Sequence, residues 1–177
     1  MTEKVTWLGP FGAGRVAKFV ALYLVCVHTL AAAEAFELAT RAGLDRAAVF
    51  DAIAGSNASS AMLESRGALM LAREYSSFSQ DKEGKTSARA ADANGEEGAS
   101  PVRGMASRVR QVKKLAEFAH ALGGRYPLLD AMDAAYGDAI AAGVGRYDIA
   151  EVFEHLMGDV PESAEFRKVL DLLTEAG

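Results

Sequence analysis

A run of about 28 residues without glycine or proline, Arg15 through Ala42, dominates this sequence. At 1.5 Å per residue it would make a helix of roughly 40 Å, long for a globular domain. Most positions from Val16 to Ala39 are apolar, so no clean polar stripe remains. A helix that is apolar nearly all round must be covered on all sides. The expected architecture is therefore all-α, with shorter helices packed around one long N-terminal post.

The run is preceded by Gly9-Pro10-Phe11-Gly12-Ala13-Gly14 and interrupted early by a lone cation, Lys18. Such a lysine can snorkel, with its stem along apolar surface and its ammonium in water. It can also stand at the mouth of a cleft, where partial burial fits it for acid–base work. The residues alone leave both readings open. The glycine spacing is not that of the dinucleotide fingerprint Gly-x-Gly-x-x-Gly, and no second strand follows the helix.

The segment Gly9-x-x-Gly12-x-Gly14-x-x-x-Lys18 resembles the start of the C-terminal domain of β-hydroxyacid dehydrogenases. That family includes 3-hydroxyisobutyrate dehydrogenases and tartronate semialdehyde reductases, with imine reductases as relatives. The likeness continues at Glu34-Ala35, Ala42-Gly43-Leu44-Asp45, Ser76-Ser77-Phe78, Lys113-Lys114-Leu115, Pro127-Leu128 and Gly143-x-Gly145-x-x-Asp148, covering most of residues 5–157. It implies a helical domain like the C-terminal domain of 6-phosphogluconate dehydrogenase-like proteins. Residues 1–8 would be the remnant of a preceding Rossmann domain. By the same resemblance Lys18 is the catalytic acid–base, Gly12 and Gly14 border the substrate, and Lys113 approaches NAD or NADP. A surface lysine in a basic helix is the plain alternative for Lys113. The family's asparagine one turn after the lysine is absent, Ala21 and Leu22 standing there, and Lys114 replaces the aspartate of Lys-Asp-Leu.

The 177 residues, half of them hydrophobic, suffice for one core. A net charge of −5 with no concentrated basic face argues against nucleic acid as the main partner. The single cysteine, Cys26, excludes an intramolecular disulfide and fits a reducing, cytoplasmic setting. No secretory signal opens the chain. The apolar stretch Phe19–Ala33 reads as too short for a membrane span, with His28-Thr29 interrupting it. His28, His120 and His155 fall on separate predicted helices, so no metal site is expected.

Gly43 should end the long helix, and Asp45 should cap a short one with Val49, Phe50 and Ile53 inward. Ser59 or Ser60 should cap a third helix running to about Glu74. The charged, small-residue stretch 80–107 reads as a mobile insert with a helical turn at Thr86–Ala91. A fourth helix is expected from Met105 to Leu122 and a fifth from Pro127 to Ala142. Asp148 should cap Ile149–Met157, and an amphipathic helix should span Ala164–Thr174.

Two functional readings follow. In one the chain is the substrate-binding and dimerisation domain of an NAD(P)-dependent hydroxyacid dehydrogenase, acting on a small hydroxy acid and completed by a separate Rossmann domain. In the other it is a catalytically silent helical module kept for oligomerisation. Both expect a homodimer through the long helix.

Overall fold

The computed structural model describes residues 6–75, 78–80, 86–88 and 105–158. Its centre is α1, Ala13–Arg41. Gly12 precedes it at φ 100, a left-handed conformation open to glycine at little cost. At the other end Gly43 takes φ 71. Its N–H reaches the Thr40 carbonyl at 3.0 Å, and Leu44 N–H reaches that of Ala39 at 2.9 Å. This paired closure satisfies carbonyls that a helix end otherwise leaves bare.

The shorter helices follow their polar caps. Asp45 Oδ1 accepts from Ala48 N at 2.8 Å and starts α2, Arg46–Ile53. Ser60, rather than Ser59, caps α3, Ala61–Ala72, by accepting from Leu63 N at 3.0 Å. Helix α3 stops at Ala72 because Arg73 turns to φ 51. Helix α4 covers Met105–Ala121, and Pro127 opens α5, Pro127–Ala141. Asp148 caps a 3-10 turn, Ile149–Glu151, which leads into α6, Val152–Met157.

Helix α1 packs against α3, α5 and α6, with α2 and α4 at its flanks. Its inward stripe is Leu22, Cys26, Thr29, Leu30, Ala33 and Phe36. Met70, Met105, Val112, Met132, Tyr136 and Phe153 close over that stripe. Tyr136 donates its hydroxyl to the Cys26 carbonyl at 3.0 Å, tying α5 to the post. The expected inward residues of α2 (Val49, Phe50 and Ile53) are only half-buried.

Three expectations need correction. The post is not covered on every side: Val16, Val20, Leu24 and Leu38 remain exposed, because the enclosing helices lie along one side of it. Over its most apolar window α1 has a mean hydropathy of 1.9. By length and composition it could therefore cross a membrane, although 33% of that window is buried within this chain. Thr86–Ala88 forms no helical turn. It is a short strand, β2, antiparallel to β1, Phe78–Gln80, with Phe78 opposite Ala88. Met105–Ser107, which the sequence reading places both at the end of the insert and at the start of the fourth helix, belong to α4, and Met105 is fully buried. The remainder of the expected insert and the Ala164–Thr174 helix lie outside the described residues. Thr6–Gly9 carry no regular secondary structure.

Candidate active site

The first two turns of α1 run beyond the helices that enclose the rest of it. Arg15 and Lys18 are exposed, whereas Leu22, one turn on, is 5% exposed. At 3.6 residues per turn, Lys18 shares a face with Leu22, Thr29 and Phe36, all buried. Lys18 thus lies on the core-facing stripe where that stripe leaves the core. A snorkelling lysine on the outer face would have the opposite phase. The burial expected around Lys18 is not supplied by the described residues.

Gly12 and Gly14 form the approach to Lys18. A Cβ added at either would meet nothing within 4 Å, so the backbone here lies open. Gly12 offers no side-chain cap, and the first turn holds no acidic residue. Phe11 is fully exposed, with Trp7 and Leu8 also largely open. Phe19 leaves this surface and stacks on Phe118 of α4, ring centroids 5.5 Å apart, which sets the C-terminal end of α4 beside the start of α1.

Lys113 and Lys114 are both exposed on α4. Five residues separate Lys113 from Phe118, and no hydrogen bond or ion pair joins it to Lys18 among the described residues. Gly12, Gly14 and Lys18 lie together at the start of α1, and Lys113 lies on α4. The position one turn after Lys18 is Leu22, part of the core, so no amide faces the same space from there. Among the described residues no group of three His, Cys, Asp or Glu side chains is placed to hold a metal. His120 instead meets Asp130 at 2.9 Å across the α4–α5 turn.

A buried polar centre lies deeper, and sequence reasoning saw only half of it. Arg66 Nε donates to Asp148 Oδ1 at 3.1 Å, with Arg66 3% exposed. Glu151 accepts from the backbone N–H groups of Gly145, Arg146, Tyr147 and Asp148. Asp148 was visible as a cap. Arg66 carried a signal that was overlooked: it falls between Leu63 and Met70 on the inward stripe of α3, where a cation needs a buried acid. This network fixes the Gly143–Asp148 turn against α3 and takes no part in the Lys18 surface.

Residues 12–82 match the family model described as NAD-binding of NADP-dependent 3-hydroxyisobutyrate dehydrogenase. The fold is similar to the crystal structure of a 3-hydroxyisobutyrate dehydrogenase from Salmonella typhimurium, with a TM-score of 0.64 and 26% sequence identity. That likeness covers 81% of this chain and 42% of the other, so this chain spans less than half of that relative's length.

Proposed function

We propose that this chain, 3-hydroxyisobutyrate dehydrogenase-like in family model and helical fold, is the substrate-side domain of an NAD(P)-dependent oxidoreductase acting on a small β-hydroxy acid. The observation that carries the reading is Lys18, set just past an open glycine-rich turn, on the inward stripe of α1 at the end that the described helices leave exposed. A lysine there faces the space a second domain would close. No βαβ unit occurs among the described residues, so the dinucleotide would be held mainly by a domain outside them, with Lys113 as this chain's own approach to it.

Bound NAD(P) supplies the hydride acceptor or donor. Lys18 takes the hydroxyl proton as the alcohol is oxidised and returns it to the carbonyl oxygen in reduction. Gly12 and Gly14 leave the backbone accessible, so the substrate can lie against the first turn of α1 without meeting a side chain. Closure by a second domain would exclude water from Lys18, which this chain alone leaves exposed. The exposed stripe Val16, Val20, Leu24 and Leu38 supports a homodimer through α1.

Leu22 favours the second reading, a silent oligomerisation module, because it puts core packing where the resembling family has an amide. The two readings separate by experiment. The 177-residue chain alone should bind NADH more weakly than micromolar by calorimetry. Joined to a dinucleotide-binding domain of the family, it should reduce 3-hydroxyisobutyrate's aldehyde partner, and Lys18→Ala should lower kcat by about 10² to 10⁴. Activity unchanged by Lys18→Ala would remove the dehydrogenase reading.

A further inference from the structure

The first two turns of α1 have an inverted pattern. Their inward-phase positions are charged, Arg15 and Lys18, whereas the outward face that starts at Val16 and continues through Val20 and Leu24 is apolar. A surface helix ordinarily has the reverse arrangement. Arg15 falls two turns before Leu22 and in phase with Cys26 and Ala33, all buried, so it projects along the same stripe as Lys18. The two cations stand three residues apart, which makes them neighbours on one face.

Neither cation has a carboxylate partner among the described residues. The described ion pairs join Glu37 with Arg41, Arg66 with Asp148, Arg73 with Glu154, and His120 with Asp130. Two unpaired like charges at this spacing repel each other modestly. An anion seated between them relieves that repulsion, and the planar guanidinium can take both carboxylate oxygens at once. The wall that α1 adds beside them is small and apolar, Ala17 and Ala21, since Leu22 is buried and Phe19 turns to Phe118.

We propose that Arg15 is a specificity-determining residue of the Lys18 site. It anchors the carboxylate of a small hydroxy monocarboxylic acid, while Lys18 addresses the hydroxyl and the apolar wall receives the carbon chain. The proposal rests on the dehydrogenase reading for the role of Lys18.

The test uses the isotope-labelled 177-residue chain, titrated at constant ionic strength with 3-hydroxy-2-methylpropanoate and its methyl ester. The hydroxy acid should shift the Gly14 to Lys18 amides saturably. The ester should leave them unmoved. Arg15→Gln should weaken the acid by about tenfold, with Arg15→Lys recovering part of the loss. Absence of saturable shifts, equal binding of acid and ester, or an Arg15→Gln affinity equal to that of the unaltered chain would each overturn the proposal. The joined two-domain protein separates this outcome from failure of the dehydrogenase reading. Carboxylate binding without turnover leaves the anchor standing and removes the enzyme. Turnover with a KM unmoved by Arg15→Gln does the reverse.

Discussion

Glu151 is a carboxylate held by backbone, with four consecutive N–H groups from Gly145 to Asp148 donating to its two oxygens. Glu151→Gln replaces one acceptor oxygen by an NH₂ that faces donors, and it removes the charge that strengthens the rest. A loss of about 2–4 kcal/mol in urea denaturation is expected, and a variant as stable as the parent would refute this account of the turn. Cys26 offers a second residue-scale test. Burial pushes its thiol up from 9.0 to about 11, against a smaller opposing pull from Arg108 and Arg66. Its folded pKa lies above the unfolded one. Its contribution is therefore complete below pH 9 and is lost as pH rises towards 11, by at most about 2–3 kcal/mol. Tyr136 and Tyr75 are also raised by burial and act in the same direction. Melting temperature should fall steadily above pH 9, and native Cys26 should resist thiol reagents at pH 8.

Among the elements, α1 has two halves with different duties. Its C-terminal half is locked. Phe36 meets Phe50 and Phe153, ring centroids 6.3 and 6.4 Å away, and Gly67 of α3 lets the two helices close in. A Cβ at Gly67 would come within 3.2 Å of Phe36 Cε2 and 3.3 Å of Phe50 Cε2. Gly67→Ala gains helix propensity but must shift two packed rings. A net destabilisation of about 1–3 kcal/mol is expected by thermal or urea melting, and a stabilised variant would show the crossing to be loose. The first two turns are held by less, chiefly Phe19 against Phe118, and present charge along the stripe where the rest of the helix presents core.

At the scale of the whole molecule the open question is what covers the outer face of α1. The sequence leads one to expect an interface that includes part of the Val20–Phe36 segment, and within it Val20 and Leu24 are exposed whereas Phe36 is buried. The available face is Val16, Val20, Leu24 and Leu38, at 41%, 53%, 45% and 68% exposure. A stable homodimer through it would bury on the order of 1,500 Å² in total. Leu24→Glu should then shift sedimentation at tens of micromolar from dimer to monomer, with little change in the helical signal, since Leu24 is outside the core. A parent chain that sediments as a monomer would remove this interface.

Much of this fold was legible in local sequence. Gly12 and Gly43 bracket α1, Asp45, Ser60 and Asp148 cap where caps are expected, and Pro127 opens α5, because each rule involves neighbours a few residues apart. The Gly9 to Lys18 pattern likewise marked the candidate site without coordinates. Periodicity could not choose the inner face of a helix apolar on nearly every side, since any face would have served. The tertiary packing chose it, and in doing so put Arg15 and Lys18 on the inward stripe and left Val20 and Leu24 outside. Nor could local pattern pair Arg66 with Asp148, 82 residues apart, because only the approach of α3 to the Gly143–Asp148 turn brings that cation to its acid.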